Sequence, residues 1–96
     1  MLVKPNKTVV RGRVRAVVPE PDGVGASVEI EVLSNDSPSE GMDYLRPAPG
    51  SMLTLFATEP GALSVGDLIR AETRLLAGPG GGRAVLQAVK ILRSEE

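Results

Sequence analysis

Five arginines and one aromatic ring in this sequence have the chemistry to contact a polyanion with exposed bases. Three of the arginines alternate with small apolar residues in the stretch TVVRGRVRAVV, and the other two flank a glycine-rich segment. Guanidinium groups form bidentate hydrogen bonds to phosphate, and an aromatic ring can stack on a base. The candidate binding residues are Arg11, Arg13, Arg15, Phe56, Arg74 and Arg83.

The same residues also have a purely structural interpretation. The arginines of the first strand could pair with outward glutamates, at Glu29, Glu31 and Glu72, and form a solvated ladder of charges. The single phenylalanine, Phe56, could close one end of the molecule, since most lone aromatic residues in small domains serve packing. The sequence favours the ladder and the packing role over the ligand role.

The sequence lacks the residues that several other kinds of functional site require. The chain has no Cys and no His, which removes thiol nucleophiles, disulfides, the usual zinc ligands and the usual neutral general base. No paired carboxylates or nucleophile with a base stand out, so we expect no enzyme activity, no metal and no cofactor. The segment 78–82 is glycine-rich but lacks the Lys-Ser/Thr pair of a phosphate-binding loop.

The length and the charge of the chain indicate how many domains it forms and where its charges are concentrated. The chain has 96 residues and a net charge of −1, with an acidic middle between two mildly basic ends. We expect one domain over 1–96, with a core of about 7–93 and a frayed tail at 94–96. No apolar stretch is long enough to span a bilayer, so the prediction is a cytoplasmic protein without a membrane partner.

Alternating apolar residues predict five strands separated by turns rich in Gly, Pro and Asp. In the first strand Val18 is expected to face inward and Val17 outward. In the fifth, a bulge near Val89 would let Leu86, Ala88 and Ile91 all face the core. A capping box at 37–40 indicates a possible short helix over about 38–46. The predicted strands are 8–18, 26–33, 51–58, 68–77 and 83–92.

These strands predict an all-β fold, a small five-stranded antiparallel Greek-key barrel, because closure removes exposed sheet edges. An SH3-type barrel with another strand order is the structural alternative. Three motifs resemble the oligonucleotide/oligosaccharide-binding (OB) fold, particularly its nucleic-acid-binding members, over about 7–93. They are Val10-x-Gly12-x-Val14, Gly66-Asp67-x-Ile69-x-Ala71 and Gly82-x-x-x-Leu86-x-Ala88-x-x-Ile91.

The resemblance implies weak binding of single-stranded DNA or RNA without sequence specificity. It implies a ligand on the outer face of the second and third strands, near the loops after strand one and between strands four and five. The sequence departs from the family in two ways. It leaves little room for a helix between the third and fourth strands, and it lacks most of the stacking rings.

A different class of function starts from apolar residues that are predicted to face outward. If contiguous, they would form a contact surface for a protein partner or a homo-oligomer. Alternatively, the segment 34–50 could cover them with Met42, Tyr44 and Leu45. The predicted outward apolar residues are Val17, Leu33, Met52, Phe56 and Leu76.

Overall fold

The computed structural model describes residues 6–21, 23–43, 45–58, 61, 63–78 and 81–93. The predicted tail at 94–96 and the side chain of Tyr44 lie outside this part of the chain. All five predicted strands are present within it, together with one short 3-10 helix, Glu40–Met42. The strands are β1 (Thr8–Pro19), β2 (Ala26–Asn35), β3 (Met52–Ala57), β4 (Leu68–Gly78) and β5 (Gly81–Arg93).

The five strands form a closed barrel in the order β1-β2-β3-β5-β4. This confirms the all-β five-stranded barrel, and the architecture is compatible with the OB-like fold that the motifs indicate. Strand pairing is antiparallel except between β3 and β5, which run parallel. Among the described residues, the parallel pairing that closes the barrel consists of one residue pair, Phe56 and Val85.

The core is one cluster of aliphatic side chains from the inward faces of β1 to β4. Leu63, from the connection between β3 and β4, also belongs to this cluster, although no strand lies in the described part of that connection. By contrast, no described side chain of β5 is fully buried, and Ala84 and Leu86 only flank the cluster. The core residues are Val10, Val14, Val28, Ile30, Val32, Leu55, Ala57, Leu63, Ile69 and Ala71.

Two register shifts shape β1. The first lies at Gly12, where an added Cβ would come within 2.6 Å of the carbonyl oxygen of Glu31, so the glycine allows close approach of β2. The second lies at Arg15 and adds one residue to the strand. It reverses the alternation, so Val17 packs against the core and Val18 is exposed. The predicted orientations of Val17 and Val18 were therefore wrong.

Irregular pairing also changes the orientation of side chains in β5. The bulge occurs at Gln87, two residues before the predicted position, and a second irregularity lies at Leu92. Ala88 consequently pairs with Glu72 on the outer face, whereas Val89 pairs with the buried Ala71. Leu86 and Ile91 face inward as expected, but the inward orientation predicted for Ala88 was wrong.

The segment between β2 and β3 does not form the longer helix considered for 38–46. In the described residues of this segment the helical part is limited to the 3-10 helix, and Arg46 has a positive φ of 43°, which a continuous α-helix does not allow. The segment is attached to β1 instead. The backbone amide of Asp36 donates to the carbonyl of Val9, and the amide of Lys7 donates to the carbonyl of Met42. The carbonyl oxygen of Met42, which a helix over 38–46 would pair with the amide of Arg46, thus accepts from Lys7 instead.

Candidate nucleic-acid interface

The three arginines of β1 have three different surroundings. Arg15 forms an exposed ion pair with Glu31 across the β1–β2 ladder, as the structural interpretation predicted. Arg13 donates to the carbonyl oxygen of Gly66 at 2.7 Å. Arg11 lies 3.7 Å from a carboxylate oxygen of Asp36, at the long end of an ion pair. The arginines therefore do not form one uniform ladder.

Strand order places Arg11 beside two further cations. Arg11 is directly opposite Arg70 of β4, and Arg70 is directly opposite Lys90 of β5. Side chains opposite each other in a sheet project to the same face with Cβ atoms about 4.5–5.5 Å apart. Arg11, Arg70 and Lys90 therefore form a continuous line across three strands, which we call the cationic row.

Few carboxylates neutralise this row. Arg70 is 4.0 Å from Glu72, and that carboxylate is closer to Lys7, at 3.3 Å. Within the described part of the chain, Lys90 has no ion pair. Like charges directly opposite each other destabilise a sheet. The arrangement is thus electrostatically unfavourable by itself and would be relieved by a bound anion.

Phe56 lies on the outer surface of the barrel, at the end away from the cationic row, and its side chain does not close that end of the barrel. The guanidinium carbon of Arg83 is 3.9 Å from the centroid of the ring, a cation–π contact. Arg83 also forms a 3.0 Å ion pair with Glu20, the first residue of the connection between β1 and β2. The ring packs against Gly25, where a Cβ would come within 2.9 Å of it. The connection between β1 and β2 therefore borders both Phe56 and Arg83.

Arg74 belongs to the same end of the barrel. It is opposite Val85, which pairs with Phe56, so all three lie on one outer band. Arg74 has no ion pair among the residues described. Arg70 precedes it by four residues on the same face of β4, a distance of about 13 Å at the rise of a β-strand. This face of β4 therefore connects the cationic row with the aromatic end.

The outer face of β2 and β3 has the opposite electrostatic character. Glu29 and Glu31 project from β2, and their partners on β3 are Thr54 and Met52. Apart from Phe56 at its edge, no residue described on this surface carries a positive charge or an aromatic ring. The position that the OB resemblance implies for a ligand is consequently acidic, and the surface suited to a polyanion lies on β1, β4 and β5.

Sequence reasoning missed two residues of this surface, Arg70 and Lys90. The outward parity of Arg70 is readable from the alternation in β4, but its neighbours depend on strand order. Lys90 follows the bulge at Gln87, which hides its orientation. Positions 11, 70 and 90 are far apart in the sequence, and only closure of the barrel makes their side chains neighbours.

The predicted apolar patch is only partly assembled. Val17 is removed from it by the bulge in β1, and Leu76 lies on β4, which pairs with neither β2 nor β3. Leu33 and Met52 are exposed and are close to each other diagonally across β2 and β3. Met42, proposed as a cover, is itself exposed.

A polar depression of about 410 Å³ lies beside β2, lined by Asn35, Ser37, Asp43 and Arg46. Its polar side chains bond mainly to one another and to the backbone, which suggests that they fix the segment after β2. Among the described residues, no group of three acidic side chains is placed to hold a metal ion. Nor does any helix described have the length and apolar character needed to cross a membrane.

Comparison of the chain with models of protein families, with curated proteins and with solved structures gave no match.

Proposed function

We propose that this protein binds single-stranded nucleic acid, weakly and without reading its sequence, on the outer face of β1, β4 and β5. The observation that carries the proposal is the cationic row, in which three like charges occupy adjacent positions on three strands. Phosphate oxygens would neutralise these charges and release counterions, which favours binding of a polyanion. The proposal assigns the barrel to the nucleic-acid-binding type of OB fold.

In this proposal the strand runs from the cationic row towards Phe56. Arg11, Arg70 and Lys90 contact phosphates at one end, and Arg74 contacts a phosphate about 13 Å further along β4. At the far end one base stacks on Phe56, either on the face that Arg83 leaves free or after displacing Arg83. Arg83 then remains available to a phosphate or to the base itself.

The same residues explain why binding would be weak and unspecific. One ring supplies one stacked base, and stacking tolerates any base because each has a π-face. The cations are exposed side chains that recognise the backbone, which is common to all sequences. DNA and RNA strands of any sequence should therefore bind with similar affinity.

The test is a salt titration of binding to labelled oligo(dT) and oligo(rU), followed by fluorescence anisotropy, for Arg70→Gln and Arg15→Gln. Both variants lose one exposed positive charge from the barrel surface. Arg70→Gln should weaken binding several-fold and reduce the slope of log affinity against log salt by about 0.7, the value for one phosphate contact on a single strand. Arg15→Gln is the matched control, because Arg15 is paired with Glu31.

Phe56→Leu examines the stacking contact separately. Leucine retains apolar bulk but removes the π-face, so affinity should fall by about 5-fold to 140-fold, as base–aromatic stacking is worth about 1–3 kcal/mol. The salt slope should stay unchanged, because no charge is lost. Absence of oligonucleotide binding at low salt, or equal losses in Arg70→Gln and Arg15→Gln, would overturn the proposal.

A further inference from the structure

β5 has an unpaired side beyond the point where the barrel closes. Its 13 residues pair with β4 along their whole length, but β3 reaches only Val85 and ends one residue later, at Ala57. In the described part of the chain, no strand lies beside residues 86–93 on the side away from β4. We call this side of residues 86–93 the β5 edge. Such an edge presents unpaired backbone donors and acceptors to another chain.

The side chains of this stretch leave apolar surface uncovered. Val89 and Ile91 lie opposite Ala71 and Ile69, which are fully buried, and so project towards the inner face of the sheet. They nevertheless remain 39% and 38% exposed, because no strand covers them. A groove of about 280 Å³ begins beside them, between the end of β3 and residues 86–89.

The outer face of the same stretch is positively charged. Lys90 and Arg93 pair with positions of β4 whose side chains point outward, and β5 contains no Asp or Glu. A strand added here would therefore meet apolar side chains on one face and cations on the other. The matching strand alternates apolar residues with carboxylates.

The barrel contains a pairing of this type between two of its own strands. β1 places valines inward and arginines outward, and its partner β2 places Val28, Ile30 and Val32 inward and Glu29 and Glu31 outward. The ion pair between Arg15 and Glu31 crosses that ladder. The β5 edge repeats the character of β1 but has no strand like β2 beside it.

A second copy of β5 is a poor occupant. Antiparallel self-pairing centred near Lys90 would place lysine beside lysine, and cations on an edge strand oppose such pairing. A polynucleotide cannot satisfy unpaired backbone amides or cover valine and isoleucine as a β-strand does. We infer that the β5 edge binds an extended segment of a partner protein in which apolar residues alternate with Asp or Glu, by addition of a β-strand. This inference does not depend on nucleic-acid binding.

The probe is a fluorescent peptide of sequence SVEIEVL, identical to residues 27–33, with SVKIKVL as its matched control. SVEIEVL should bind about tenfold more tightly, because two favourable cross-strand charge pairs become unfavourable in the control. Binding should slow hydrogen exchange of the amides within 86–93. The variant Lys90→Glu/Arg93→Glu should reverse the preference and bind SVKIKVL more tightly.

Val89→Thr separates the edge from the nucleic-acid surface. Threonine keeps the β-branched shape but adds a hydroxyl to the apolar contact, so peptide affinity should fall several-fold while oligonucleotide affinity and the thermal midpoint remain close to wild type. The inference is overturned if the two peptides bind equally, if neither binds, or if protection of 86–93 rises with protein concentration alone. That last outcome would assign the edge to self-association.

Discussion

Asp43 is a buried carboxylate, 5% exposed, that joins the segment after β2 to the barrel. It accepts hydrogen bonds from the Thr8 hydroxyl at 2.7 Å, the Asn35 amide at 2.6 Å and the backbone amide of Arg46 at 2.9 Å. Burial by itself raises the pKa of Asp43, but hydrogen bonds from Asn35, Thr8, Arg46 and Ser37 outweigh it and hold the pKa below its usual value. The ionised form is thus the one that the fold stabilises.

Replacement of this carboxylate should lower stability in a pH-dependent way. In Asp43→Asn, an amide donor replaces one accepting oxygen and faces Thr8 or Asn35, so the free energy of unfolding at pH 7 should fall by about 1–3 kcal/mol. Since the folded pKa is depressed, the contribution of Asp43 is present above its unfolded pKa of about 3.9 and lost as the pH falls through the folded value.

Urea unfolding at pH 7 and pH 3 measures this difference. The difference in the free energy of unfolding between wild type and Asp43→Asn should be smaller at pH 3 than at pH 7. Glu29→Gln is the control, because Glu29 is exposed, and its effect should stay within about 0.5 kcal/mol. If that difference were the same at both pH values, Asp43 would not have a depressed pKa in the folded protein.

At the scale of elements, the close contact between β1 and β2 depends on Gly12. A methyl group there would meet a backbone oxygen of Glu31 at 2.6 Å, and a backbone atom of a paired strand cannot turn aside as a side chain can. Gly12→Ala should therefore lower the free energy of unfolding by about 1–3 kcal/mol, the usual cost of overpacking.

Thermal or urea unfolding of Gly12→Ala and Gly41→Ala tests the role of that contact. At Gly41 the nearest atom to an added Cβ is the Ser39 hydroxyl oxygen at 3.9 Å, an ordinary contact. The control should be neutral or slightly stabilising, because alanine restricts the unfolded chain. If the two substitutions changed the free energy of unfolding equally, the close approach of β1 and β2 at Gly12 would not be the cause of the lost stability.

Comparison of the predicted and observed strands shows which side-chain orientations can be predicted from the sequence. Alternation alone located all five strands and the outward orientation of Glu29 and Glu31 in β2, because a two-residue period fixes which residues share a face. It failed at Val17, Val18 and Ala88, because each lies beyond a bulge that adds one residue and reverses the parity. Bulges arise from pairing with another strand, which the local sequence does not specify.

At the scale of the whole molecule, stability is unevenly distributed around the barrel. β1, β2 and β4 contribute fully buried residues to the core and are paired on both sides. By contrast, none of the described side chains of β5 is fully buried, and the described strands pair with β5 on one side only beyond Val85. Opening of β5 from the closed barrel should therefore need less free energy than opening of the other long strands.

Native-state hydrogen exchange should reveal this gradient. Amides of Val14, Ile30 and Ala71 should exchange only on global unfolding, at least about a thousandfold slower than the unprotected amides that point away from β4 within 86–93. Uniform protection along β5 would mean that another part of the chain covers the edge.

The sequence by itself determined the all-β class, the five strands, the outward orientation of Arg11, Arg13 and Arg15, and the position of Phe56 on the outward face of its strand. These features follow from local periodicity and from turn residues. Only the tertiary structure decided which charges are neighbours. Closure in the order β1-β2-β3-β5-β4 places Arg11 beside Arg70 and Lys90, and it leaves glutamates on the β2–β3 face. Charges interact across strands, over distances that chain closure sets, so their grouping cannot be read from spacing along the chain.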